Sequence, residues 1–252
     1  MSAATLDPMR PPRPDDDRPH YLTLRDQIGE AIATGRLAPG TRLPSERQLQ
    51  SETATARGTI REALFQLEAE GRIYRRDRSG WYVSPAAVTY DPTRWAGFMT
   101  YVIEQGRTPA TQTLSIDSVA ATAATAGIFG LAIGAPLHEL TRRRSIDGRP
   151  VLVERIMVDP ALAPDLATQD LDGSLTHILS RHYGLAAVRN HIDMRPCALT
   201  TPVAGTLGVK SGTPGLLIVR TSFAANGRVV EYDHEYWRHD AIKVQVDLTI
   251  RA

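Results

Sequence analysis

The sequence is short of cysteine, of lysine and of long apolar runs. Cys197 is the only cysteine, which excludes an internal disulfide and any cysteine-based zinc site within one chain. No apolar run approaches the ~20 residues needed to cross a bilayer, and Met1–Pro19 has no apolar segment of signal-peptide type. A cytoplasmic protein with no membrane partner is therefore expected. Lysine occurs only at Lys210 and Lys243, so arginine carries nearly all the positive charge. The formal net charge of +1 says nothing about a nucleic-acid partner; the placement of the arginines says more. Between His20 and Pro85 there are ten Arg, no Lys and eight Asp or Glu. Arg72, Arg75, Arg76 and Arg78 fall within seven residues, opposed only by Asp77.

The 252 residues give room for two modest domains, and 42% hydrophobic with 23% charged residues fits packed cores. Residues 1–19 hold five prolines and the Asp15-Asp16-Asp17 run and read as a disordered tail. Residues 20–85 read as three helices and a hairpin. Leu24, Ile28, Ala31 and Ile32 form an apolar stripe on a first helix over about Tyr21–Thr34. Ser45, with Gln48 three residues on, has the capping-box pattern for a short second helix to about Glu52. A third helix, about Arg57–Glu70, buries Ile60, Leu64 and Leu67 and stops at Gly71. Thr55 stands ready to cap it. Arg72–Arg75 and Trp81–Ser84 then pair as strands around a tip at Arg76–Gly80.

That order makes a winged helix-turn-helix, with the third helix set to enter a major groove. Arg57 and Arg61 are four apart and project together. Arg can read guanine with two hydrogen bonds, and Thr59 can touch a phosphate or a thymine methyl. Arg47 is placed to hold the backbone, and Arg76 and Arg78 on the wing to reach phosphate or the minor groove. A helical bundle with solvated arginines is the plainer alternative.

The run Gly35-Arg-Leu-Ala-Pro-Gly-Thr-Arg-Leu-Pro-Ser-Glu-Arg-Gln-Leu49 resembles the amino-terminal signature of the GntR family of bacterial regulators. So does Thr59-Ile-Arg-Glu-Ala-Leu-Phe-Gln-Leu-Glu-Ala-Glu-Gly71. The resemblance implies double-stranded DNA as partner, a homodimer on a palindromic operator, and contacts from Arg47, Arg57, Thr59, Arg61 and the wing tip near Gly80. Ala56, Gly58 and Trp81 depart from the residues usual in relatives.

Residues 86–94, with Pro92, read as a linker. Residues 95–252 read as an α+β domain around a mainly antiparallel sheet. Helices are expected at Trp95–Gln105, Ala120–Phe129 and Leu175–Tyr183. Strands are expected at Leu137–Ile146, Val151–Val158, Ala186–Met194, Gly215–Phe223, Val229–Trp237 and Ile242–Thr249. Asp147-Gly148 and Asn226-Gly227 mark hairpins.

Strand parity puts Arg142 and Arg144 on the side of Leu140 and Ile146, and Glu154 on the side of Leu152, Ile156 and Val158. A buried charge must pair or meet a ligand. One reading is an ion pair bracing the hairpin. The other is an anion pocket, because one Glu cannot neutralise two Arg and a positive surplus remains. Glu231 shares a face with Val229, Asp233 and Trp237, while Val230, Tyr232 and Tyr236 look like the core face.

This region resembles the UTRA ligand-binding domain of the HutC branch of GntR regulators, whose fold is similar to chorismate lyase. The resemblance rests on Arg142, Arg144, Asp147-Gly148-Arg149-Pro150, Glu154, Leu171-Asp-Gly-Ser-Leu175, Leu207-Gly-Val209 and Glu231 through Asp240. It implies effector contacts from Arg142, Arg144, Glu154, Ser174 and Glu231. Trp237 stands where many relatives have Tyr, so packing replaces a hydroxyl contact there. The effector is expected to be a small anion: a phosphonate, phosphate ester or carboxylate. The stretches Arg78–Pro85, Tyr90–Arg94 and Val230–His239 are similar to regulators of phosphonate use. That similarity points to a 2-aminoethylphosphonate-type effector held in part by Thr93 and Arg94.

Neither histidine pair (177 and 182, 234 and 239) falls on one face of an element, and no nucleophile has an adjacent base. Neither a catalytic centre nor a metal or other cofactor is expected. The rival readings are a chorismate-lyase-like enzyme and a DNA-binding protein that answers to no effector.

Overall fold

The structure, a computed structural model, describes residues 19–76 and 79–248. They fall into two compact units that divide between Ala87 and Val88. The segment expected as a linker therefore contributes a strand, Val88–Tyr90, to the second unit. Val88 and Tyr90 are buried there, and the strand pairs in parallel with Ile242–Val244.

The first unit contains α1 (His20–Ala33), α2 (Glu46–Thr53), α3 (Arg57–Ala69), β1 (Ile73–Arg76) and β2 (Gly80–Val83). Leu24, Ile28 and Ala31 of α1 pack on Ile60, Ala63, Leu64 and Leu67 of α3, with Leu49 of α2 closing the cluster. Each of the leucine and isoleucine side chains contributes roughly 1.5–3 kcal/mol by leaving water. The capping box at α2 forms as its pattern requires: Gln48 N donates to Ser45 Oγ at 3.3 Å, and Ser45 N donates to Gln48 Oε1 at 2.9 Å. Thr55 does not cap α3. Its hydroxyl donates back to the Thr53 carbonyl at 3.3 Å, and α3 begins after Ala56 without a side-chain cap. The turn between α2 and α3 instead passes through Ala54 in the left-handed region, at φ 52°. A short third edge stiffens the wing: Leu43 N donates to the Trp81 carbonyl, and Val83 N to the Thr41 carbonyl, both at 2.9 Å.

The second unit contains β3 (Val88–Tyr90), α4 (Phe98–Glu104), β4 (Pro109–Ala120), α5 (Ala123–Phe129), β5 (Pro136–Ile146), β6 (Arg149–Val158), α6 (Leu175–Tyr183), β7 (Arg189–Ala198), α7 (Thr201–Leu207), β8 (Pro214–Phe223), β9 (Val229–Arg238) and β10 (Ile242–Val244). Six strands form one antiparallel sheet in the order β4-β5-β6-β9-β8-β7. Phe98, Tyr101 and Val102 of α4 and Leu175, Ile178 and Leu179 of α6 pack on one face. Val203, Ala204 and Leu207 of α7 meet Val153 on the other face, as Ala126 of α5 meets Leu137. Asp147 and Gly148, at φ 50° and 76°, make the tight β5–β6 hairpin.

Several boundaries differ from the sequence reading. Trp95–Gly97 stays outside α4, which starts at Phe98. Strand β4 and helix α7 were not expected. No helix among the described residues is long and apolar enough to cross a membrane.

Candidate functional site

The first unit presents one face of α3. Its apolar positions turn inward, so Arg57 and Arg61 turn outward and are exposed, with Thr59 half-buried beside them. Both guanidinium groups rest on Glu46, the first residue of α2. Arg57 Nε lies 3.3 Å and Arg61 Nε 3.0 Å from Glu46 Oε2. Partial burial pushes the Glu46 carboxyl up, but hydrogen bonds from Arg61 and Arg57 outweigh it and hold the group below the usual carboxylate range. Arg47 is exposed on the next position of α2. Gly58 has open space around it.

On the wing, Arg76 is exposed and lies over the Tyr82 ring, 5.2 Å from its centroid. It pairs in register with Gly80, whose φ of 96° is in the region that favours glycine. Arg78 lies outside the described residues.

The second unit carries a cleft of about 360 Å³ on the α4 and α6 face of the sheet. Arg142, Arg144, Glu154, Ser174 and Glu231 all line it. Arg142 and Arg144 sit two apart on β5 and are buried, as parity requires. Both pair with Glu154 on β6, Arg144 Nε at 2.8 Å. Burial pushes the Glu154 carboxyl up, but the two arginines outweigh it and hold the group below its ordinary value. Arg142 Nη1 also donates to the carbonyls of Leu171 and Gly173, at 3.1 and 3.2 Å. That contact fixes the loop that leads into α6. Arg144 Nη1 donates to Thr111 Oγ1 at 3.0 Å, and its guanidinium lies 4.8 Å from the Phe98 centroid. Ser174 caps α6, accepting from His177 N at 3.3 Å, so the helix opens toward the cleft.

The expected positive surplus is not there. Arg142, Arg144 and Arg220 face four buried carboxyls: Glu154, Glu231, Asp233 and Glu235. The acids of β9 share one face with the buried Trp237, whereas Tyr232 and Tyr236 are half-buried on the opposite face. Both faces of β9 are covered: Tyr236 packs with Val153 and Leu199 on the α7 side, while Val230, at the bulge facing Ser222 and Phe223, is buried against α6. Alternation along β9 held the signal for Asp233 and Glu235, and alternation along β8 held it for Arg220 beside Ile218 and Ser222.

Arg220 pairs with Glu235 and donates to the Tyr90 hydroxyl at 3.3 Å. Trp237 does not line the cleft. Its indole donates to Glu235 Oε2 at 2.9 Å, and its ring packs on Phe98 beneath the site. Thr93 is engaged by Asp91, to which its hydroxyl donates at 2.6 Å. Arg94 is exposed and pairs with Glu104 at 2.9 Å; it does not line the cleft but borders two neighbouring hollows, one of which also touches Arg220 and Glu231.

A winged helix-turn-helix joined to a domain that holds a charged cleft is the build of a transcription regulator. Residues 20–83 match the gntR family of bacterial regulatory proteins, and residues 104–243 match the UTRA domain. The chain belongs to the GntR family, in the branch that carries a UTRA domain. It is 29% identical over 227 residues to the HTH-type transcriptional regulator YihL of Escherichia coli, covering 89% of this chain and 95% of YihL. It is 29% identical to the HTH-type transcriptional repressor NagR of Bacillus subtilis, covering 88% and 91% of the two chains. The crystal structure of PhnF from Mycobacterium smegmatis shares the fold, with a TM-score of 0.64 at 22% identity over 90% of this chain and 99% of that one.

Proposed function

We propose that this regulator is a sequence-specific repressor, bound as a homodimer to a palindromic operator, whose affinity for DNA is set by a small anion in the cleft. The carrying observation is that one chain holds both an outward Arg57–Thr59–Arg61 face and, in a separate unit, a cleft lined by buried guanidinium groups. On the DNA side, Arg57 and Arg61 read bases from α3, Thr59 touches backbone or a thymine methyl, and Arg47, Arg76, Arg78 and the Gly80 turn hold phosphates. On the effector side, Arg142 and Arg144 stay pinned by Glu154 and offer their remaining N–H groups to the ligand. The amino end of α6 with Ser174 adds backbone donors aimed at the same anion. Glu231 completes the wall. Thr93 and Arg94 are not drawn to the cleft and are left out of this reading, as is Trp237 except as support.

A phosphonate, a phosphate ester or a carboxylate fits this chemistry. Coupling then consists of a ligand-dependent bias on how the heads meet DNA. Relatives that span nearly the whole chain are named as regulators, and we read it as a regulator, not an enzyme. The test is fluorescence anisotropy with double-stranded fragments from either side of its own gene. Phosphonates, sugar phosphates and urocanate are then added. A fragment bound tightly and released by one of these anions is the expected result. No binding at low salt defeats the DNA half, and binding indifferent to every anion defeats the effector half.

A further inference from the structure

Two of the four cleft carboxyls are fully employed. Glu154 carries Arg142 and Arg144, and Glu235 takes Arg220 and the Trp237 indole. Asp233 is different. It is 2% exposed, it lines the cleft, and its Oδ1 accepts no hydrogen bond from any described residue. In the sheet it stands between Ile156 on β6 and Arg220 on β8, and Arg220 is turned to Glu235. Glu231, two residues back on the same face and about 7 Å away along the strand, is the second acid of this wall. A carboxyl oxygen sealed from water without a donor is costly. It must keep a proton or receive a positive group.

We propose that Asp233, with Glu231 beside it, is the seat of a cationic group, so that the effector is dipolar: an anionic head on the arginine side joined to an ammonium on the β9 side. The inference rests on the anion reading above and narrows it from small anions in general to amine-bearing phosphonates or phosphate esters. Charge balance supports it. Three arginines face four carboxyls, so the site has no spare positive charge and an added anion alone makes it more negative. An ammonium brought with the anion offsets one of the anion's charges and gives the unpartnered Asp233 oxygen a donor. Burial, then Glu235, Glu154 and Glu231, hold the Asp233 carboxyl well above its ordinary range against the opposing Arg220. An arriving ammonium therefore displaces a proton.

Calorimetric titration of the full chain at pH 7 with two matched pairs tests this: 2-aminoethylphosphonate against ethylphosphonate, and glucosamine 6-phosphate against glucose 6-phosphate. In at least one pair, the amine should bind tenfold or more tighter, and its heat should vary with the ionisation enthalpy of the buffer as a proton leaves. Asp233→Asn keeps the shape and removes the charge; it should cut the preference below threefold. Asp233→Ser serves the same purpose if the amide variant fails to fold, and the matched pairs on the unaltered chain stand without either. Equal binding within both pairs, or a preference that survives loss of the Asp233 charge, overturns the dipolar reading and leaves the anion reading intact. Failure of all four compounds to bind at millimolar concentration overturns the dipolar reading, together with the phosphonate and phosphate-ester part of the anion reading.

Discussion

Arg61 donates through Nε to Glu46 Oε2 across 3.0 Å, which ties the exposed face of α3 to the first residue of α2. Arg57 uses the same oxygen at 3.3 Å. A carboxylate placed there repels phosphate, yet it aims two guanidinium groups before DNA arrives. Glu46→Gln should therefore leave binding to random duplex equal or tighter while operator binding weakens about tenfold, the scale of one base-reading pair. Competition between operator and random fragments measures the ratio. Thermal stability should barely change, since exposed pairs contribute about 0–1 kcal/mol. An unchanged ratio would remove the aiming role.

Arg61 itself is expected to matter more. Arg61→Ala should weaken operator binding roughly 10- to 100-fold, corresponding to about 1–3 kcal/mol of lost readout. It should spare ligand affinity, because the side chain belongs to the other unit. Anisotropy and calorimetry on one preparation check both halves. Equal loss of both activities in a folded variant contradicts the division of labour between the units.

The head was legible because local signals agreed there. A 3.6-residue apolar period, the Ser45–Gln48 box and the Gly71 stop each named the same elements. The second unit was legible only where a strand alternates cleanly, as in β5 and β6. Strand β4 escaped because it is an edge strand of small and polar residues, with Leu114 exposed and Ile116 half-buried. Helix α7 escaped because it is only seven residues long and begins at a Thr-Pro step. The cleft escaped in part for a subtler reason. Alternation assigns residues to two faces, but on β9 both are covered: Tyr236 packs with Val153 and Leu199 on the α7 side, and Asp233 and Glu235 line the cleft on the α4 and α6 side, so the apolar face does not mark the site.

Arg144 is a harder probe of the ligand than the sequence implied. It holds Glu154 and Thr111 and lies under Phe98. Arg144→Ala leaves the buried Glu154 with one partner, and breaking such a pair costs about 3–5 kcal/mol. The second unit should melt roughly 10 °C earlier, so loss of ligand in this variant is informative only below its new melting point. Arg144→Lys keeps the charge without the fork. It should fold and bind the anion more weakly. Calorimetry with melting curves separates the two effects, and an Arg144→Ala chain as stable as the parent contradicts the brace.

Gly215 tests the packing beneath the sheet. A Cβ built there meets Leu199 Cδ2 and the Trp237 carbonyl oxygen, each at 2.7 Å. The leucine can rotate, but the carbonyl belongs to the β8–β9 ladder and cannot step aside. Gly215→Ala should cost about 1–3 kcal/mol of stability, read as a lower denaturant midpoint, while DNA binding by the head at low temperature is kept. A midpoint equal to that of the parent means the strand moves more freely than its pairing indicates.

Stability should also fall as pH rises. Burial first, then the neighbouring acids, raise the Asp233 carboxyl in the folded chain, and burial likewise raises Glu231. A folded state that holds a proton the unfolded chain gives up loses stability with increasing pH. The loss starts near the unfolded carboxyl value, about 4, and continues until the folded group ionises. The melting temperature of the second unit should thus decline between pH 7 and pH 8 in the absence of ligand, above the range in which His234, whose pKa burial lowers, acts in the opposite direction. Asp233→Asn should flatten that decline and match or exceed the parent at pH 8. Addition of Glu231→Gln should flatten it further. Melting curves in buffers of constant ionic strength make the comparison; a parent curve that rises through this window means Asp233 is ionised in the empty cleft, and the ammonium would then meet a charge already formed.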